Sequence, residues 1–537
     1  MAQWRLDTQG YDQPTVTRFE TVMQADQYGN IIGNIGSSYS AFGEPLTVQT
    51  EPVIQLDGLY GISTREFETF NGQLLGVGGT AGTNTNKTLM SCSTGTNTFG
   101  YGVLRSRRAV RYRPGQGAVA RFTAKFTTTL DENGNYIGIS GYTQRAGFFT
   151  QEQALQVGFN SNSKFSILRQ NGGKAHIQEI QVTAAKTTGS ENITITLNND
   201  QVTFSSSGTT IIGITKEIYD ALVADATISA KWTLEWANDK IFALAQRIEP
   251  KNGVFSYTTD GGVTTFASPN TLQAYEPDIN TWIDDFNHDK LDGTGPSGMI
   301  IKPDKLNVFQ INFRWLGAGQ ITYSVEDPEG NIIPFHHEHY AGKNEDVHLD
   351  NPSMKIGYVA ASLGGSGTDV KVEGGSMMGG IEGKINITSL PSSHSRSSVA
   401  LTQDQYTHLF SIKNRLLLNG KINLREVLLN NLSAGITVAS GKVFGTVYLF
   451  LNANVSTDHI WNPINSESQV YYSNVAGQII LANEFPLMSF VIAQDAPISI
   501  DLSNVRIALP PNNTISVAII TPTNSVDGAV SLNWIED

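Results

Sequence analysis

Residues 111–126, RYRPGQGAVARFTAKF, and residues 307–315, NVFQINFRW, decide the fold class of this chain. In the first stretch, a turn at Pro114–Gly117 precedes strict alternation, which places every second side chain on one face of a strand: Ala118, Ala120, Phe122, Ala124 and Phe126. The second stretch alternates in the same way, and its apolar face consists of Phe309, Ile311, Phe313 and Trp315. A period of two residues is that of a strand with one buried face, so both stretches predict half-buried strands.

The composition supports the same fold class. Charged residues make up 16 % of the 537 residues, compared with about 25 % in typical soluble domains, while glycine is frequent, at 52 residues. Such a chain is typical of many short strands joined by tight turns. The composition argues against a coiled-coil fibre and a helical enzyme, which need alanine, glutamate, lysine and leucine in quantity.

Charge and cysteine content narrow the class of protein further. Lys and Arg number 36 and Asp and Glu number 49, so the formal net charge is −13. This acidic balance argues against a nucleic-acid-binding protein, which needs a positive field. We therefore expect no nucleic-acid partner. The single cysteine, Cys92, allows no internal disulfide. We find neither a long apolar run nor a secretory signal, so we expect no membrane insertion.

The chain is predicted to contain four parts. Residues 1–100 are turn-rich and are predicted to form an irregular segment for attachment or wrapping. Residues 101–186 and 271–390 carry the strand patterns of one split β-sandwich, which residues 187–270 interrupt as a small α+β insertion. Residues 391–537 contain a further series of short strands, which predicts a jelly-roll sandwich.

Three local patterns refine this division. Residues 216–225, KEIYDALVAD, predict a helix that is capped by Thr215. The Gly-rich residues 364–383 predict a linker or a flexible edge. Residues 443–451 are apolar on both faces, and a strand that is buried on both sides in a two-layer domain needs a second cover. A subunit interface would supply that cover.

Several stretches, in their order along the chain, resemble structural proteins of tailed bacteriophages and large DNA viruses. The resemblance begins at about residue 109 and runs to residue 537. It rests on RYRPGQGAVARFTAKF, on VGFNSNSKFSILRQNGGKAHI (157–177), on the region from Asp289 to Ala341, on LFSIKNRLLLNGKIN (409–423), and on the final strands around LPPNNTISVAI and GAVSLNWIED. The resemblance implies a virion component of the tail-fibre, baseplate or capsid-surface type, which usually works as an oligomer, often a trimer.

Pattern and resemblance together predict a mainly β, multidomain β-sandwich: a lectin-like sandwich with a small α+β insertion, then a C-terminal jelly roll. The predicted function is a structural component of a virus particle that acts in virion assembly and host attachment. We expect it to be assembled in the host cytoplasm and to reside in the virion. Its expected partners are copies of itself as a homotrimer, other virion proteins through the N-terminal segment, and a host-surface glycan.

Catalysis is not expected, because no catalytic residues come with the resemblance and no nucleophile elbow, zincin motif or P-loop occurs in the sequence. No catalytic, cofactor-binding or metal residue is therefore assigned, and no cofactor is expected. The alternative functions are a glycan-binding receptor-recognition protein and a polysaccharide depolymerase tailspike. The depolymerase would need a pair of carboxylates at a defined separation, which sequence alone does not test.

Two polar clusters are candidate metal sites. His336, His337 and His339, with His348 nearby, offer two imidazoles at i and i+2 that could hold zinc with a third ligand. The other interpretation is a polar strand end or an interface. Asp285, Asn287 and Asp289 have the spacing of the first half of a calcium loop, but the sixth and twelfth positions of an EF-hand are here Lys290 and Pro296. A turn capped by Asx side chains is the simpler interpretation.

A group of arginines and a group of aromatic residues are candidate binding surfaces. Six arginines lie within 17 residues: Arg105, Arg107, Arg108, Arg111, Arg113 and Arg121. Nucleic acid is one partner for such a group, but salt bridges to an acidic neighbour subunit are favoured, since Arg suits interface pairs. Aromatic residues in turn-rich contexts could stack on sugar rings or simply pack: Trp4, Trp461, Tyr471 and Tyr472.

Overall fold

The computed structural model of the chain describes residues 50–537, except for the following positions: 73–78, 85–87, 171–176, 199, 246–254, 268–269, 274–278, 344, 346, 384–388, 390, 439–440, 482–485, 495, 504 and 506. Residues 1–49, which include Trp4 and about half of the predicted attachment segment, lie outside the described residues. No helix among the described residues is long and apolar enough to cross a membrane.

The first part of the chain forms a run of strands that belong to one sandwich. In chain order they are β1 (Thr50–Asp57), β2 (Phe67–Gly72), β3 (Thr80–Asn84), β4 (Leu89–Ser93), β5 (Tyr101–Ser106), β6 (Ala118–Phe126), β7 (Thr129–Leu130), β8 (Tyr136–Ile137), β9 (Tyr142–Phe149), β10 (Ala154–Asn160) and β11 (Ser166–Gln170).

An insertion of strands and two helices follows. Its elements are β12 (Ile177–Ala184), β13 (Glu191–Leu197), β14 (Asp200–Ser206), α1 (Ile211–Ala224), α2 (Ala226–Lys231), β15 (Trp232–Ala237), β16 (Lys240–Ala245), β17 (Phe255–Thr259), β18 (Thr265–Phe266) and β19 (Asn270–Gln273).

The sandwich then resumes. Its second part consists of β20 (Ile279–Trp282), a 3₁₀ turn (Ile283–Asp285), β21 (Asn307–Phe313), β22 (Ile321–Glu326), β23 (Ile332–Glu338), β24 (Lys355–Ser362), β25 (Lys371–Gly374) and β26 (Ser376–Glu382).

The last unit contains eight main strands and several short ones. The main strands are β27 (Pro391–Leu401), β28 (Thr407–Asn414), β31 (Val427–Val438), β32 (Phe444–Leu451), β37 (Pro486–Ala493), β38 (Ile498–Asp501), β40 (Thr514–Ile520) and β41 (Val526–Glu536). The short ones are β29 (Leu417–Leu418), β30 (Lys421–Ile422), β33 (Asn454–Val455), β34 (Asn462–Pro463), β35 (Val470–Ser473), β36 (Ile479–Ile480) and β39 (Ala508–Leu509).

The sandwich consists of two antiparallel sheets. Among the described residues, one sheet has nine strands in the order β23-β22-β21-β6-β25-β4-β3, with β26 pairing both β6 and β1; the other has seven, in the order β2-β5-β24-β9-β10-β11-β20. The alternation predicted for β6 is confirmed, because Ala118, Phe122 and Phe126 are all buried in the core between the sheets. Phe309 of β21 lies opposite Phe122, and the two rings stack at 5.7 Å.

The described part of the predicted irregular segment, residues 50–100, contributes β1 to β4 to this sandwich. The Gly-rich stretch predicted as a linker or flexible edge likewise forms β25 and β26, which both pair with β6. Its glycines permit close approach: a Cβ at Gly374 would lie 2.1 Å from the Thr123 carbonyl oxygen, and one at Gly379 would lie 2.6 Å from Val110. The small number of apolar side chains in this stretch is therefore a consequence of close backbone packing, and the stretch is not a linker.

The insertion has its own core. Strands β15, β16, β12 and β18 form one sheet, in which β19 also pairs with β12, and β14, β13 and β17 form another. Helix α1 packs its apolar side, including Ile214, Ile218 and Leu222, into the same cluster. The helix is longer than residues 216–225, because Ile211 and Ile214 extend the apolar stripe by one turn toward the N-terminus. Its cap is Thr210, whose hydroxyl accepts from the Gly213 N–H at 3.0 Å, and not Thr215.

The last unit is a jelly roll. If its eight main strands are counted from one to eight, strands 1, 8, 3 and 6 form one sheet and strands 2, 7, 4 and 5 lie side by side in the other. This interleaving is that of a jelly-roll sandwich. Its core holds Trp534, Leu432, Val447 and Ile515, all fully buried. The prediction of a mainly β, multidomain sandwich is confirmed.

Candidate functional site

The arginine group lies where the sandwich meets the jelly roll. Arg108 forms a bidentate ion pair with Glu426, with Nε–Oε1 2.9 Å and an Nη2–Oε2 distance of 2.7 Å. Arg111 and Arg113 both bind the Asp537 side chain, the former at 2.7 Å. Pairing with carboxylates agrees with the prediction, but these carboxylates belong to the jelly roll of the same chain. Arg121 stands apart and donates to Gln310 at 2.6 Å.

Breaking the bidentate pair should loosen this junction. We expect Glu426→Gln to lower the free energy of unfolding of the jelly roll by about 1–3 kcal/mol, because hydrogen bonds to charged groups contribute that much. Urea unfolding measures the change. Glu467→Gln, at an exposed position in the same unit, is the matched control. Equal effects of the two substitutions would contradict the assigned role of Glu426.

A second charged group is more deeply buried. Glu68 of β2 accepts from Arg105 at 2.9 Å and from Lys355 at 2.7 Å, and the two cationic side chains are only 4 % and 9 % exposed. Arg105 also lies over the Phe70 ring at 5.0 Å. Sequence reasoning singled out Arg105 but missed Glu68 and Lys355, because no local pattern links positions that are hundreds of residues apart.

His336 and His337 lie on strand β23, at one end of the described sheet, and His339 directly follows that strand. Strand β23 has a bulge opposite Tyr323 and Ser324. His336 is buried, and its ring lies 5.8 Å from that of Phe286. The His337 ring faces the other way, with centroid distances of 4.9 Å to His288 and 5.8 Å to His339.

Burial lowers the pKa of both His336 and His337 to about 4. His348 lies elsewhere, 5.0 Å from the Tyr340 ring.

The acidic loop also separates its side chains. Asp289 is buried and caps its own loop by accepting from the N–H groups of Leu291 and Ser297 at 2.9 and 2.8 Å. Asn287 forms two hydrogen bonds with the backbone of His337, at 2.7 and 2.8 Å, while Asp285 is exposed. The side chains of this loop thus cap its own backbone, and through Asn287 they bind the loop to β23 by hydrogen bonds.

Within the described part of the chain, no group of three or more His, Cys, Asp or Glu residues is placed to hold a metal ion. Cys92 is buried, and burial raises the pKa of its thiol well above its usual range. It lies within the core of the sandwich.

The aromatic residues considered for sugar stacking that the structure describes, Trp461, Tyr471 and Tyr472, are engaged in packing. Trp461 is 4 % exposed and joins the core of the insertion, where Asn238 forms hydrogen bonds of 2.8 and 2.9 Å with its backbone. Tyr471 packs under Arg415 at 4.5 Å, and Tyr472 stacks on His394 at 4.2 Å. Trp461 therefore joins two units of the chain and offers no open ring face.

The jelly-roll sheet that contains β32 offers its outer face for intermolecular contact. Residues of β32 alternate as predicted: Val447 and Leu449 point into the core, while Tyr448 and Phe450 point outward. Part of the outer face is covered by the chain itself, since Tyr406 packs edge-on against both outward rings, at 5.0 and 5.6 Å. This intramolecular cover corrects the expectation that another subunit is needed along the whole strand.

The other end of the same face is open. Phe444 is 62 % exposed and Val491, on the neighbouring strand β37, is 58 % exposed. Among the strands that the structure describes, β37 is the edge of its sheet, so its outer backbone groups are placed to pair with another strand. We call Phe444, Val491 and the β37 edge the jelly-roll patch.

Comparisons with known proteins assign no family to this chain. No protein-family model matches the sequence, and no curated protein matches it. Among solved structures, a lectin from Bauhinia forficata in complex with GalNAc matches at 9 % identity and TM-score 0.20, over 61 % of this chain and 98 % of that chain. A legume lectin-like domain from Entamoeba histolytica matches at 8 % identity and TM-score 0.22, over 62 % and 98 %.

A T13 viral particle of IBDV matches at 11 % identity and TM-score 0.14, over 84 % of this chain and 69 % of that chain. At TM-scores this low, none of these matches indicates what this chain binds or builds. The resemblance to virion proteins of tailed bacteriophages and large DNA viruses therefore stays a prediction.

Proposed function

We propose that this chain is a structural component of a virus particle that acts in virion assembly and host attachment, as a homo-oligomer and without catalysis. The observation that carries the proposal is the jelly-roll patch, where exposed apolar side chains adjoin a sheet edge. Exposed apolar side chains beside a strand edge that can pair with another chain favour an interaction site. The ion pairs at the junction between sandwich and jelly roll support it, because they fix the orientation in which the patch is presented.

The oligomer is expected to depend on this patch. We expect the purified chain to have the mass of a trimer by light scattering after size exclusion, and Val491→Asp to reduce it to the monomer mass, because a carboxylate would be desolvated at the interface. Val505→Asp is the matched control: Val505 is 62 % exposed and lies in the turn after β38. A wild-type monomer at micromolar concentration would contradict the proposal.

Placement in the particle needs a separate measurement. Mass spectrometry of purified virus particles should detect the chain at a copy number that is a multiple of its oligomeric state. Its absence from particles would overturn the structural role. Incubation with host polysaccharide should release no reducing sugar, and sustained release would favour the depolymerase instead.

A further inference from the structure

A cleft of about 270 Å³ lies where all three units of the chain meet. The sandwich contributes Glu68, Arg105, Arg107 and Lys355, the insertion contributes Leu244, and the jelly roll contributes residues 422–424 and 511–513. Clefts between units are common sites for small ligands, in which a few polar groups converge within apolar walls. The volume is near the lower end of such sites and suits a small molecule.

The charges of this cleft do not cancel. Its described lining holds three cations, Arg105, Arg107 and Lys355, and one carboxylate, Glu68, so its formal charge is two positive. Glu68 is already shared between Arg105 and Lys355. Burial, together with the neighbouring Arg105 and Arg107, lowers the pKa of Lys355 to about 8 in spite of Glu68. In an acidic chain, this is a local concentration of uncompensated positive charge.

Arg107 is the cation that is best placed for a ligand. Its guanidinium donates to the Thr64 carbonyl oxygen at 3.0 Å, and more weakly to Asn513 Oδ1 at 3.3 Å and the Phe67 carbonyl oxygen at 3.5 Å. It forms no ion pair with a carboxylate of the described residues. A guanidinium has five N–H donors, so these contacts leave donors for another acceptor, and Arg suits oxyanions because its fork binds them at two points.

We propose that this cleft binds a small ligand through an oxyanion, which can be a carboxylate, a phosphate or a sulfate, with Arg107 as the hydrogen-bonding group. Arg105 and Lys355 contribute the positive field behind it, which acts strongly because both side chains are largely buried. Glu68 holds these two side chains in place. The site is independent of the jelly-roll patch and of the proposed place in a virion.

Titration calorimetry of the full chain with sodium sulfate tests the site, with sodium chloride at equal ionic strength as the reference. We expect saturable binding of one sulfate per chain. Arg107→Gln should weaken it about tenfold or more, since a charge-assisted hydrogen bond is lost. Arg121→Gln, which removes the same charge from an exposed position on β6, should leave the affinity unchanged. Thermal unfolding establishes that both variants are folded.

A parallel titration with sodium glucuronate distinguishes the source of the oxyanion. Tighter binding of glucuronate supports a sugar carboxylate as the ligand, while tighter binding of sulfate supports a tetrahedral anion. The proposal is overturned if chloride reproduces the sulfate heats, or if folded Arg107→Gln binds both probes as the wild type does. Neither result would bear on the mass of the oligomer.

Discussion

Glu68→Gln is expected to lower the free energy of unfolding by about 3–5 kcal/mol, since removal of one partner leaves buried charges without compensation. The glutamine would face Arg105 and Lys355, which are both largely buried and share the original carboxylate. Chemical denaturation measures the change. The control is Asp284→Asn, which breaks the exposed pair with Lys164, and exposed pairs contribute little.

The pH dependence provides a second check on Glu68. Although burial alone would raise it, the charges of Lys355 and Arg105 lower the pKa of Glu68 to about 2 from an ordinary 4.5. Because the folded state favours the ionised form, this stabilisation is complete above about pH 4.5 and is lost as the pH falls toward 2. Glu68→Gln should remove that part of the acid sensitivity. An unchanged acid profile would show that the carboxylate is not paired as described.

Acidification below neutral pH is expected to destabilise the jelly roll through His408. This ring is fully buried and lies 2.8 Å from the Val475 carbonyl oxygen and 2.8 Å from the Ser411 hydroxyl. The carbonyl can only accept, so Nδ1 carries the proton and Nε2 accepts from Ser411. Protonation of Nε2 would place a charge in the core and force Ser411 to turn.

The sign and size of this effect follow from the pKa. Burial lowers the pKa of His408 from 6.5 to about 4, so the unfolded chain binds the proton more tightly than the folded one. Stability is therefore full above about pH 6.5 and falls between pH 6.5 and pH 4, by about 3 kcal/mol for this group.

Urea unfolding at a series of pH values should show the loss, and His408→Gln should make the profile less steep in this range, the remaining slope coming from His336 and His337. The control His339→Gln, at an exposed ring on the sandwich, should keep the wild-type slope. A His408→Gln profile as steep as that of the wild type would exclude His408 as the titrating group.

Local patterns predicted the elements of this fold well where one face of a strand is buried. The alternation in residues 118–126 and 307–313 is the alternation of burial, because a strand turns successive side chains to opposite faces. The same reasoning failed at residues 364–383, where the glycines that suggested a linker permit close contact with Val110 and Thr123. The composition of a stretch does not show whether its glycines are exposed or lie in close contact with another part of the chain.

The functional surfaces were less predictable. The arginine group was visible, because a run of like charges in an acidic chain is a local feature, but its partners Glu426 and Asp537 were not. The same applies to Trp461, whose turn-rich surroundings suggested an open ring, although the insertion buries it.

The sequence by itself thus determined much of the strand pattern, the mainly β class and the interior faces of β6, β21 and β32, since these depend on residues two positions apart. Only the tertiary structure decided which charges meet, which aromatic rings are covered, and where the jelly-roll patch and the cationic cleft lie. Burial and pairing of these groups depend on contacts between positions as distant as Glu68 and Lys355. Such contacts stabilise the protein only after the chain has folded and the long loops between the two residues are closed.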